Sequence, residues 1–232
     1  MFNTKTAVCF LFFSDLLLER GTQLDCFDMS FFFFFNPKFS NRDNPQRMSA
    51  IVQEFLRSQT SLQQVLMNQD FWDLEQGLNV LSALTDDGRN RTVTHLEIRN
   101  FVRFSHEVYK QEAYITAMRN FKCLEVLSLN YNFLSDEILE ILTENCGHSL
   151  RKLYVLVDNL QPFDHVIADK NWARLKAQKT TEGKLETLWN LQGIQDWERV
   201  TSILQPSLPC VKKIELWHCV LPHGKNNHTF SD

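Results

Sequence analysis

The sequence predicts an α/β solenoid of about six stacked strand–helix units, with a curved parallel sheet on its concave side. Three observations predict it. Apolar residues recur at one fixed spacing along the chain from about residue 50. The segments between the recurrences carry apolar stripes at helical spacing. The Gly-rich phosphate loop and long apolar strands of a doubly wound sheet, the other fold with strand–helix alternation, are not found.

The repeat is clearest in two places. Leu124-x-x-Leu127-x-Leu129-x-x-Asn132-x-Leu134 matches the leucine-rich-repeat consensus at every specified position, and Val211-x-x-Ile214-x-Leu216-x-x-Cys219-x-Leu221 matches its cysteine form. Weaker copies begin at Leu62 (with Val65 and Met67), Val93 (Leu96, Ile98) and Leu150 (Leu153, Val155). Another begins with Leu185 and Leu188 and breaks at Asn190. The starts at 62, 93, 124, 150, 185 and 211 are spaced by 31, 31, 26, 35 and 26 residues, which leaves long segments for the convex side. In each short strand alternate apolar residues point inward. The Asn or Cys turns the chain off the strand and satisfies backbone groups under the bend.

The connecting helices follow in order. Leu74, Leu78, Leu81 and Leu84 form one stripe, closed by Asp86-Asp87-Gly88. Tyr114, Met118 and Phe121 form the next. Ser135 is an expected N-cap, Asp136 and Glu137 place negative charge at the helix N-terminus, and Ile138, Ile141 and Leu142 face the core. Gly147 is expected as a left-handed stop. A less regular helix lies near Trp172 and Leu175, and Trp197, Val200 and Leu204 mark the last, stopped before Pro206.

Residues 1–49 fit none of this and are expected to form an irregular, low-complexity segment that adds little to the fold. Phe31 to Phe35 are five consecutive phenylalanines, and neither a helix nor a strand can turn all of them to one core. Asn36-Pro37 through Asn44-Pro45 reads as a loop. Residues 7–18 are apolar but too short to span a membrane, and they lack the basic n-region and small-residue cleavage site of a secretory signal. The repeat domain is assigned to 50–224 and a tail to 225–232.

Composition narrows the function. The 24 Lys and Arg against 28 Asp and Glu give a net charge of −4, so no basic surplus points to nucleic acid. The six cysteines, Cys9, Cys26, Cys123, Cys146, Cys210 and Cys219, form no Cys-x-x-Cys pair. They read as buried, reduced thiols of a cytoplasmic or nuclear protein without a membrane anchor. The sequons at Asn90 and Asn227 carry little weight outside the secretory pathway.

No nucleophile, acid–base or nucleotide motif is found, so neither catalysis nor a cofactor is expected. His218, Cys219 and His223 are close in sequence, but His218 and Cys219 face opposite ways on a strand, which argues against a metal site. The expected function is protein binding on the concave face. Its outward positions are Leu66, Glu97, Ser128, Tyr154, Trp189 and Glu215, flanked by His95, Arg99, Asn130, Lys152, Lys213 and Trp217. Aromatics mixed with both charge signs suit a protein target better than a phosphate. Trp72, Trp172 and Trp197 are expected in the core, and Trp189 and Trp217 outside it. The outer side of the last unit, including Leu216 and Leu221, is expected to lie open and to promote self-association.

The stretch LEVLSLNYNFLSDEILEILTENC, Leu124 to Cys146, resembles the repeat region of the F-box only protein 39 family. The likeness continues through Asn171-Trp172-Ala173-Arg174-Leu175, Trp197-Glu198-Arg199 and Ile214-Glu215-Leu216-Trp217-His218-Cys219, and spans roughly residues 50–224. The resemblance implies a substrate-receptor subunit of a Skp1–cullin–F-box ubiquitin ligase, in which the F-box docks on Skp1 and the repeats hold the target. Residues 1–49 carry no F-box pattern, a Leu-Pro start followed by spaced Ile and Leu and then a Trp. The Skp1–cullin complex is therefore expected as a partner only if the full-length protein supplies an F-box.

Overall fold

In the computed structural model, residues 23–30, 44–86, 92–103, 107–159, 165–178 and 185–219 are described. Strands and helices alternate along the chain. They are β1 (Cys26–Asp28), α1 (Asn44–Ser58), β2 (Gln64–Leu66), α2 (Leu74–Thr85), β3 (His95–Glu97), α3 (Glu112–Asn120) and β4 (Val126–Asn130). There follow α4 (Asp136–Cys146), β5 (Lys152–Asp158), α5 (Asp169–Ala177), β6 (Glu186–Gln192), α6 (Trp197–Leu204) and β7 (Val211–Trp217). All seven strands join one sheet in sequential order, each parallel to the next. A doubly wound sheet reverses its strand order at a switch point, and this sheet has no reversal. The arrangement is compatible with a curved solenoid.

The inward strand residues hold the units together. Leu62, Val65, Met67, Val93, Leu96, Ile98, Leu124, Leu127, Leu129, Leu150, Leu153 and Val155 are all buried. Burying a side chain of this kind contributes about 1.5–3 kcal/mol, and each is covered by the unit before and the unit after. Backbone bonds run from unit to unit where the strands begin: Glu125 N to Thr94 O, Arg151 N to Glu125 O and Glu186 N to Arg151 O, each 2.8 Å. The helices pack in the same sequence, α1 on α2 and so on to α5. Among the described residues they leave the other face of the sheet without a helix.

Ser135 caps α4 as expected, its Oγ accepting from Ile138 N at 3.2 Å. Gly147 is not a left-handed stop, because its φ of −58° is right-handed. A Cβ there would meet Thr143 O at 2.3 Å and Gln178 Cγ at 2.8 Å, so close approach is what excludes a side chain. Left-handed residues instead recur two positions after the last inward strand residue: Gln69, Asn100, Gly193 and His218. This conformation turns the chain off the strand. Cys219 then serves the expected role, its thiol donating to Leu191 O at 3.1 Å.

Two expectations about residues 1–49 are corrected. Leu24-x-x-Phe27-x-Met29 has the repeat spacing, and β1 pairs with β2 while Phe27 and Met29 are buried. Asn44-Pro45 is the first turn of α1 rather than a loop, consistent with proline's fitness for the first helical turn. The Phe31–Phe35 run, both sequon asparagines, Leu221, His223 and the 225–232 tail lie outside the described residues.

The last strand of the described residues, β7, ends the sheet. Among the described residues nothing pairs with the far edge of β7, and Ile214 and Leu216, on its inward side, are 39% and 48% exposed. An uncovered strand with apolar side chains favours association. Sedimentation velocity at rising micromolar concentration should show growth in mass, and Leu216→Lys should suppress it. A concentration-independent monomer would contradict this.

Candidate functional site

The helix-free face of the sheet is built from the residues between the inward ones. In the strand register Leu66, Glu97, Ser128, Tyr154, Leu188 and Lys213 form one row across six strands. Asn130, Leu156, Asn190 and Glu215 form the next. Of the expected site residues Leu66, His95, Glu97, Arg99, Tyr154 and Glu215 are half-buried, and Lys152, Lys213 and Trp217 are exposed. Trp217 is 54% exposed at the rim.

Three expected residues are misplaced as contact residues. Trp189 pairs with Val155 and is 1% exposed, so it points into the core. There it packs against Trp172 at 6.0 Å and Tyr131 at 5.8 Å between ring centroids. The inward set of β6 is Thr187, Trp189 and Leu191, with Thr187 and Trp189 one residue earlier than the Leu188 and Asn190 that Leu185-x-x-Leu188 implied. Asn130 is fully buried: its Oδ1 accepts from Asn100 N at 2.6 Å and its Nδ2 donates to Asn100 Oδ1 at 2.8 Å. It holds the left-handed turn at Asn100 and is unable to reach a partner. Ser128 lies on the open face and lines one of the cavities described next, but it is only 2% exposed.

Of the remaining residues His95, Glu97, Arg99, Lys152, Tyr154, Lys213 and Glu215 line two cavities of about 290 Å3 each, and Leu66 and Trp217 line neither. Arg99 and Tyr154 line both. One cavity adds His95, Glu97 and Lys152, and the other adds Leu156, Leu188, Asn190, Lys213 and Glu215. Asn68 organises the β2–β3 side. Its Oδ1 accepts from Arg99 N at 2.9 Å, its Nδ2 donates to Glu97 Oε2 at 2.8 Å, and Arg99 bridges the same oxygen at 3.2 Å. At the other end Lys213 pairs with Glu215 and Lys212 with Glu186. Hydrogen bonds from these lysines hold both carboxyls below their ordinary range. Asn68, Leu156, Leu188 and Asn190 were not expected in the site. The last two share the one-residue register error at Trp189.

A second cluster lies beside the C-terminal ends of the strands. The His165 ring stacks between Tyr109 at 4.1 Å and Tyr131 at 4.7 Å, and its Nε2 donates to Leu134 O at 2.7 Å. Burial holds its pKa below the ordinary 6.5, against the opposing pull of the Leu134 carbonyl and the Glu107 and Asp136 carboxylates; Lys110 acts with burial. A lowered folded value means that the unfolded chain binds the proton more readily. This contribution to stability is intact above pH 6.5 and lost as pH falls from there through the folded value. Urea midpoints should therefore fall between pH 7 and pH 5 (roughly the span of a histidine titration), and His165→Gln should flatten that part of the profile. An unaltered slope would assign it elsewhere.

Among the described residues no three or more His, Cys, Asp or Glu side chains are grouped to hold a metal, and no helix is long and apolar enough to cross a membrane. Of the thiols, Cys146 and Cys210 are buried, Cys26 and Cys219 are half-buried, and Cys123 is exposed, against the expectation that it is buried. Burial pushes the Cys146 thiol up to about 11, which leaves it unreactive. No protein-family model matches this chain.

Proposed function

We propose that the chain is a non-enzymatic leucine-rich-repeat domain that binds a protein on the open, concave face of its sheet. The observation that carries this reading is the sequential parallel sheet, whose open face joins Tyr154, Leu156 and Leu188 to Arg99, Lys152 and Lys213 in two adjoining cavities. Aromatic and arginine side chains beside an apolar hollow are the usual anchors of protein interfaces. The resemblance of residues 50–224 to the F-box only protein 39 family extends the proposal: the domain is a target receptor of a cytoplasmic or nuclear ubiquitin ligase, reaching Skp1 and the cullin through an F-box supplied elsewhere in the full-length protein.

A second reading, a repeat scaffold unconnected with ubiquitin, draws on one observation. Residues 23–30 and 44–58 serve as the first strand and helix of the sheet rather than as a separate docking module. Transcripts of the gene discriminate the two. An F-box exon spliced upstream of the repeats, with co-elution of Skp1 and the longer product, is expected for the ligase receptor. Transcripts without one would leave the scaffold.

A further inference from the structure

The cavity lined by Arg99, Tyr154, Leu156, Leu188, Asn190 and Lys213 has a definite chemistry. Its floor is apolar, made by the buried Leu156 and the half-buried Leu188 from adjacent strands. Its wall carries two cations, Arg99 and Lys213, one carboxylate, Glu215, and the polar side chains of Tyr154 and Asn190. At about 290 Å3 it is at the lower edge of the roughly 300–1,000 Å3 typical of small-molecule cavities. Its size suits one large side chain and the group beside it.

The charges around it are unevenly satisfied. Glu97 and Glu215 are each already in an ion pair, with Arg99 and Lys213. Lys152, in the adjoining cavity, has no carboxylate within ion-pair distance among the described residues. Arg99 Nε has no acceptor there either. What the face lacks is a further anion, and it lacks it beside an apolar floor.

We infer that this cavity takes an acidic–apolar peptide segment of the partner, with an aliphatic or aromatic side chain seated on Leu156 and Leu188. A neighbouring carboxylate then lies among Arg99, Lys152 and Lys213. The inference rests on the protein-binding reading of the open face. Arginine suits this task because its fork of donors serves two carboxylates at once, Glu97 from one side and the partner from the other. An exposed lysine adds attraction that weakens with salt.

The test is fluorescence anisotropy of the full chain with a fluorescein-labelled peptide of alternating Glu and Leu. Its analogues with Gln or Lys in place of Glu serve as controls. Saturable binding that weakens with salt is expected for the Glu–Leu probe. It should fall about tenfold, ~1.4 kcal/mol, for the Gln analogue and for Lys152→Ala, and should be lost with Leu188→Glu. Leu188 is at the surface, so that variant should fold, and its circular dichroism and thermal midpoint are checked alongside. Equal binding of the Gln or Lys analogue, no binding at all, or binding indifferent to both substitutions would overturn the inference. A photocrosslinker at Tyr154 separates this failure from failure of the broader reading. Capture of protein from that position with no affinity for the Glu–Leu probe overturns only the peptide chemistry. Absence of both overturns the binding face as well.

Discussion

Phe27→Ala is expected to destabilise the protein by about 3–5 kcal/mol and to lower its thermal midpoint by roughly 10 °C. Phe27 is buried, and its ring lies 5.5 Å from that of Phe55 on α1. The strand that carries it is tied down at both ends. Met29 N donates to Leu66 O at 3.0 Å, Gln64 N to Asp25 O at 3.0 Å, and Leu24 N to the Gln59 side chain at 2.8 Å. The cavity left by the ring would be walled by Phe55 and the inward residues of β2, which are fixed by their own neighbours and collapse poorly. Deleting residues 1–47 should cost at least as much, because it uncovers Val65 and Met67 along a whole edge of the sheet. Differential scanning calorimetry measures both. An unchanged or sharper transition would mean that β1 contributes nothing to the folded sheet.

Trp189→Ala carries an expectation of similar size, about 3–5 kcal/mol, and it discriminates between two registers. If β6 placed Trp189 on the open face, truncation would remove a surface side chain at a cost within about 0.5 kcal/mol. In the observed register the indole packs between Trp172 and Tyr131, and its removal leaves a cavity there. Leu188→Ala should show the reverse: little loss of stability, since Leu188 is on the open face. Denaturant midpoints of the two variants settle the register directly, and equal losses at both positions would contradict it.

The difference between what the sequence disclosed and what it hid has physical causes. Six strands were legible because Leu, Val, Ile and Met at the inward positions announce the spacing themselves. The strand at Cys26–Asp28 obeys the same spacing, with Phe27 and Met29 as its inward pair. The nearby run of phenylalanines, which no period can place, masked it. The register of β6 was hidden by Thr187, a hydroxyl at an inward position. Its removal from the pattern made Leu188 look like the inward residue, and Trp189 and Asn190 were displaced with it. The bulge between β6 and β7 compounds this: Thr187 pairs with Val211 and Leu188 with Lys213, leaving Lys212 extra. Burial of Asn130 and Ser128 was not legible at all, since it depends on neighbouring strands rather than on alternation along one. The two-cavity shape, and the way Asn68 ties Glu97 and Arg99 together, likewise exist only when neighbouring strands lie side by side.

The central claim, that the open face of the sheet and not its helical side binds protein, is tested most directly by site-specific photocrosslinking in cells. A benzophenone amino acid is placed at Tyr154, between the two cavities, and separately at Arg174, exposed on α5. Both sites tolerate a large side chain, and matched expression and thermal midpoints confirm folding. A discrete crosslinked protein band that disappears with Leu188→Glu is expected from Tyr154, and only background from Arg174. Equal crosslinking from both positions, or a band from Arg174 alone, would contradict it.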